Sequence, residues 1–244
     1  MSVNNLFKAQ YFFVALMALM LTYSLNVQAE STQTSQQITN AVDQTNPYKM
    51  VRGAAKQTFA RFANEQQAIQ DNPNVLKNIV REELIPYVNY KYSAFKVIGK
   101  YLKKTTDAER RAFVPVFKEY LITSYAQVFT LYDNQEVEFF PEKSFDGKRI
   151  VAVNTRIIIP GGDDIDVAFK VRLNKKTNQW QAFDMVAEGV SLLDSKKVEL
   201  GSIIRQKGLP YVTELLRSKS SRDIVFKNRE TKEKAATKNT QQQG

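Results

Sequence analysis

Any chemistry in this chain must work without imidazole or thiol, because its 244 residues include no histidine and no cysteine. Histidine is the usual general base, the usual switch near neutral pH and the commonest metal ligand. Serine–histidine, cysteine–histidine and ordinary zinc sites are therefore impossible. Carboxylates and lysines remain, but no paired-carboxylate motif and no phosphate-cradling glycine loop stands out. Asp184 and Glu188 have two readings. Either they make polar contacts at the mouth of a site or at a partner surface, or they are structural. In the structural case Asp184 holds a backbone donor and Glu188 steadies a turn that Gly189 permits, and this reading is favoured. Lys91, Lys96, Lys100, Lys103 and Lys104 crowd one short segment, where phosphates, an acidic partner or solvent alone would each suit them. Apolar residues make up 43% of the chain, with 15 Phe and 11 Tyr among them. Such a chain is better equipped to bind than to react, and no catalytic residue, metal ligand or cofactor is expected.

The elements that would position a binding site follow from periodicity. Residues 1–29 read as a secretory signal peptide. Lys8 is the only charge there, residues 11–25 are uncharged and apolar, and Val27-Gln28-Ala29 ends on a small residue, so cleavage is expected after Ala29. A transmembrane anchor would need about 18 or more apolar residues, and this run is shorter. Residues 30–46, rich in Ser, Thr and Gln, read as a flexible lead-in. Pro47 opens a helix that Met50, Val51, Ala54, Ala55, Thr58, Phe59 and Phe62 carry to about Gln70. Asn72-Pro73 opens a second, with Val75, Leu76, Ile79, Val80 and Leu84 buried and Pro86 ending it. A third covers residues 92–103. Thr106-Asp107-Ala108-Glu109 is a capping box before the longest helix, whose wide aromatic face runs from Phe113 to Tyr132. Pro115 is expected to kink its first turns.

Near Glu136 the helical period gives way to alternation. Residues 136–140, 151–159, 165–173 and 180–188 read as a four-stranded antiparallel meander. Helical period returns after Gly189 and continues to Gly208, a C-cap. A last short helix holds Tyr211, Val212, Leu215 and Leu216. Residues 221–244 read as a disordered tail. Helices, then sheet, then helix make an α+β domain over residues 47–220.

The net charge is +10. A basic chain suggests nucleic acid, but export separates it from that partner, so none is expected. An anionic membrane surface or an acidic protein patch would suit the charge, and so would a simple need for solubility. The core itself has two readings, solid or hollow. In the hollow case the wall is expected to comprise Phe113, Phe117, Tyr120 and Phe129 of the long helix, with Val153, Ile157, Val167, Phe169 and Val171 of the strands. Pockets for small apolar ligands are about 300–1,000 Å³ and mostly apolar.

The segment Trp180-Gln181-Ala182-Phe183-Asp184-Met185-Val186-Ala187-Glu188-Gly189-Val190-Ser191-Leu192 resembles the signature of the MlaC family, the toluene-tolerance or Ttg-type periplasmic proteins. In that family a tryptophan is followed by an aspartate, then by a Glu-Gly-Val-Ser stretch leading into a helix. Arg110-Arg111-Ala112-Phe113 and Tyr120-Leu121-Ile122-Thr123-Ser124-Tyr125 resemble its long helix, and Ile203-Ile204-Arg205-Gln206-Lys207-Gly208 its C-terminal helix. The likeness covers residues 46–218. It implies a nuclear-transport-factor-like fold, a curved antiparallel four-stranded sheet packed by helices around an apolar cavity. It also implies a periplasmic carrier that holds glycerophospholipid by its acyl chains and maintains outer-membrane lipid asymmetry. Its implied partners are an outer-membrane lipoprotein complex and an inner-membrane ABC transporter with a ring-shaped substrate-binding subunit. An envelope chaperone or scaffold and a carboxylate-dependent hydrolase are the competing classes.

Overall fold

The computed structural model describes residues 42–132 and 134–226. The expected signal peptide, and most of the expected lead-in and tail, lie outside them. Helix α1 (Pro47–Asn64) starts where the Asn46 side chain accepts from the amides of Tyr48 and Lys49. Pro47 takes the first helical position, where its missing donor costs nothing. The helix breaks at Glu65 before the short α2 (Gln66–Asp71), so the single helix expected to Gln70 is two. Helix α3 (Val75–Ile79) runs on into a π turn (Val80–Leu84) and a 3-10 turn (Ile85–Tyr87). Arg61 ties this turn to α1, donating to Glu82 at 2.9 Å and Glu83 at 2.8 Å.

Helix α4 (Tyr90–Ile98) is capped by Asn89 and continues as a 3-10 turn (Gly99–Lys104). The expected capping box opens α5 (Asp107–Phe129). That helix is unbroken across Pro115. Pro115 and Arg111 are both exposed, so the carbonyl deprived of its partner sits on the side open to water. Helix α6 (Leu192–Ser220) is interrupted at Gly208, with φ 80° and ψ 168°, which makes it in effect the two helices expected.

One antiparallel sheet holds β1 (Val137–Phe139), β2 (Ile150–Ile157), β3 (Ile165–Asn174), β4 (Gln179–Ala187) and β5 (Val190–Ser191) in chain order. The expected count of four is corrected to five. Glu188 and Gly189 both take positive φ, 47° and 75°, the combination that a two-residue hairpin turn of the right twist requires. The chain therefore doubles back, pairing Ala187 with Val190 and Val186 with Ser191. Between β2 and β3 the partners are Val151 with Val171, Val153 with Phe169, Thr155 with Val167 and Ile157 with Ile165. Alternation places all eight on one face. The β3–β4 register shifts between Lys170 and Val171, leaving Phe183 as the extra residue of a bulge. Its carbonyl accepts from Ser93 Oγ at 2.7 Å, while the Asn89 amide donates to the Ala182 carbonyl at 2.7 Å. The bulge is thus where α4 fastens to the sheet.

Three clusters of buried side chains hold these elements. Val97, Ile98, Phe113, Phe117, Tyr120, Leu200 and Leu216 join α4, α5 and α6. Phe62, Leu76, Ile79, Ile122 and Ala126 join α1, α3 and the later turns of α5. Tyr48, Met50 and Val51 pack on Val151, Val153, Val171 and Trp180 of the sheet. Packing continues past residue 220: Ile224 is buried in the second cluster, and Val225 exchanges hydrogen bonds with the Gln127 side chain at 2.8 and 3.3 Å. At the other end, the Trp180 amide donates to the Gln44 carbonyl at 2.7 Å.

Candidate functional site

Helix α1 closes only half of the sheet face. Its first turn carries Tyr48, Met50 and Val51, which fill the space over Val151, Val153, Val171 and Trp180. A turn later it offers Ala54, Ala55 and Thr58, whose short side chains leave a pocket of about 340 Å³. The sheet wall of this pocket includes Thr155, Ile157, Ile165, Val167, Phe169 and Met185, with Val137 and Phe139 of β1. The last turns of α5 add Tyr125, Val128 and Phe129, and the turns between α3 and α4 add Leu84, Tyr87 and Val88. Val128 is 54% exposed and Ile165 36%, so the pocket opens between the end of α5 and the β2–β3 hairpin.

Few polar side chains reach the lining, and most are already engaged. Thr58 Oγ1 donates to the Ala54 carbonyl at 2.8 Å, Thr155 Oγ1 to the Val167 carbonyl at 3.0 Å, and the Tyr87 hydroxyl to Gln57 at 3.2 Å. Asp184 accepts from Ser191 Oγ at 2.8 Å and the Leu193 amide at 3.0 Å, and pairs with Lys170 Nζ at 3.1 Å. The Tyr125 hydroxyl has no hydrogen-bond partner among the described residues. Burial, reinforced by the nearby Asp184 carboxylate, pushes that phenol up to about 12. Among the described residues no group of three or more carboxylates is placed to hold a metal ion.

The acidic residues of the signature have structural work. Asp184 and Ser191 together hold the start of α6, where Ser191 Oγ also accepts from the Asp194 amide at 3.0 Å. Glu188 occupies the hairpin turn, and its carboxylate accepts from the Asp166 amide at 2.6 Å. Lys91, Lys96, Lys100, Lys103 and Lys104 are all exposed, and none forms a salt bridge among the described residues. Lys96 and Lys100 instead lie over the rings of Tyr92 and Tyr101, at 5.5 and 5.4 Å.

Of the nine residues expected to wall a hollow core, the pocket gathers Phe129, Ile157, Val167 and Phe169. Phe113, Phe117 and Tyr120 lie outside its lining, packed between α5 and α6. Val153 and Val171 belong to the filled half of the sheet face. Periodicity correctly identifies which face of an element is buried; it does not say what lies across from it. The contribution of α1 and of the turns around Tyr87 is not legible in periodicity. The one local signal for it is Ala54-Ala55 with Thr58 a turn later, short side chains where longer ones would have filled the space.

The family model described as MlaC protein matches residues 52–218. The Intermembrane phospholipid transport system binding protein MlaC of Haemophilus influenzae is 33% identical over 187 residues, which is 76% of this chain and 87% of that protein. Toluene tolerance protein ttg2D of Pseudomonas putida is 21% identical over 147 residues, 60% of this chain and 67% of that one. Among solved structures, a phospholipid-binding protein from Ralstonia solanacearum in complex with a phospholipid is similar in fold. Its TM-score is 0.64 at 18% identity, over 72% of this chain and 97% of that one. The family match takes in the wall residues from Ala54 to Ala187 and the whole strand–turn–helix signature. The chain belongs to the MlaC family.

Proposed function

We propose that this protein binds glycerophospholipid by its acyl chains and carries it across the periplasm. In this reading it shuttles between an outer-membrane lipoprotein complex and an inner-membrane ABC transporter with a ring-shaped substrate-binding subunit, and so maintains outer-membrane lipid asymmetry. The observation that carries the reading is the pocket between α1 and the sheet, apolar in its walls and with nearly every polar group engaged inside the protein. Such a site has nothing with which to make or break bonds, and it suits a ligand recognised by hydrocarbon. The phospholipid-transport and phospholipid-binding names of the relatives agree with it. Phe129, Ile157, Val167 and Phe169 are the wall residues that touch the chains, and the sheet with its helices takes the nuclear-transport-factor-like form. Cleavage after Ala29 delivers the domain to the periplasm, where it needs neither cofactor nor nucleic acid.

Magnitudes support binding by chains. A water molecule occupies about 30 Å³ and a methylene group is of similar size, so 340 Å³ holds about ten such groups. Each is worth about 0.8 kcal/mol when taken out of water, or about 8 kcal/mol in all. The headgroup can stay in water, and selectivity among headgroups should be weak.

The experiment is organic extraction of the protein purified from an envelope-exporting host, followed by mass spectrometry. Intact phospholipid of mixed headgroup in near-stoichiometric amount is expected. Protein free of lipid would overturn the reading; bound peptide would point to a chaperone, and lysolipid with free fatty acid to a hydrolase.

A further inference from the structure

Five polar side chains border the pocket, and four of them have their hydrogen bonds met within the protein: Thr58, Thr155, Tyr87 and Asp184. Tyr125 is the exception. Tyr125 lines the pocket together with Val128 and Phe129, and its hydroxyl has no hydrogen-bond partner among the described residues. Water entering the pocket can satisfy this half-buried phenol, but an apolar chain that displaces the water leaves it unpaired, at a cost that is removed when the ligand itself brings an acceptor. We infer that Tyr125 donates a hydrogen bond to the carboxylic ester carbonyl of a bound acylglycerol, so that the pocket selects ester-linked over ether-linked lipid. The inference rests on the carrier reading above.

A phospholipid offers two kinds of acceptor, phosphate oxygens and ester carbonyls. The apolar lining decides between them. Seating a phosphate anion among Val128, Phe129 and Val167 would strip it of water, and no lysine or arginine lines the pocket to offset that cost. The Asp184 carboxylate, already held by Lys170, Ser191 and the Leu193 amide, offers the anion nothing. A neutral carbonyl avoids the penalty. Held at Tyr125, it leaves the chain to run along Val167 and Phe169 while the phosphate stays toward water. The phenol remains a donor throughout the physiological pH range.

The test offers lipid-stripped protein equal amounts of dipalmitoyl phosphatidylethanolamine and its dihexadecyl ether analogue in mixed vesicles, and weighs the bound species by mass spectrometry. Wild type should favour the ester by about three- to tenfold. Tyr125→Phe, which removes one oxygen and keeps the ring, should bring the ratio to about one. Independently of any variant, the infrared band of a carbonyl-labelled ester should shift to lower frequency on wild type. A wild-type ratio near one, an unshifted carbonyl, or a preference surviving in Tyr125→Phe would each overturn the inference while leaving the carrier reading intact. Failure to take up either lipid would overturn both.

Discussion

Val167 and Val171 share a strand, a face and a side chain, at 5% and 0% exposure, yet they should respond differently to the same change. Val167 borders the pocket, whereas Val171 is packed against the Trp180 cluster. A carboxylate at 171 would be buried in filled space with no counter-charge, and such a group costs more than most domains can absorb. At 167 it can reach the opening and stay hydrated. Val171→Glu is therefore expected to prevent folding. Val167→Glu should fold with a loss of about 1–3 kcal/mol and carry far less co-purified lipid. Urea denaturation and lipid extraction, run side by side, check both statements. If Val167→Glu also fails to fold, the wall is solid there. The contrast is also the measure of what alternation in a sequence reveals. It placed both valines on the buried face, and it could not tell filled space from empty space, because that depends on the length of side chains arriving from α1.

At the scale of elements, α1 sets the pocket by what it lacks. Ala55 lies in the lining and is only partly buried, so a larger side chain can enter the void without displacing a packed neighbour. Ala55→Phe is expected to fold normally, with stability unchanged or raised by up to about 1 kcal/mol, as cavity filling commonly gives. Its lipid content should fall sharply, because the ring occupies the volume the chain needs. A variant that loads lipid like wild type would show that the chains lie elsewhere. Much of the element order was legible beforehand. The Asn46-Pro47 start, the Thr106–Glu109 capping box, the break at Gly208 and the turns of the β2–β3–β4 meander are local chemistry, written in neighbouring residues. The fifth strand was not, since it needs Glu188, a non-glycine residue, to adopt positive φ. The hold on residues 221–226 was also missed. It comes from Asn74 and Gln127, each about a hundred residues or more away in the chain, and no local pattern reports contacts of that range.

For the whole molecule, the net charge of +10 has to be reconciled with a pocket that uses almost none of it. The lysines of α4 and the turn after it are exposed and unmatched by carboxylates among the described residues, and they are absent from the pocket lining. A carrier of the kind proposed would have to meet two membrane complexes and leave both, so its contacts should be weak at rest and fast to form. Complementary surface charge serves that need, because it speeds encounter more than it tightens the final complex. Lys100→Glu combined with Lys103→Glu is accordingly expected to slow lipid transfer to acceptor complexes in vitro and to leave lipid content unchanged, since neither residue borders the pocket. Salt gives the independent check. At physiological ionic strength the screening length is about 8 Å, so raising salt from a low level should slow the wild type more than the charge-reversed protein. Transfer that ignores both the reversal and the salt would reduce the basic surface to a solubility device. Docking would then fall to exposed apolar residues such as Val190 of β5 and Val198 of α6 (56% and 75% exposed).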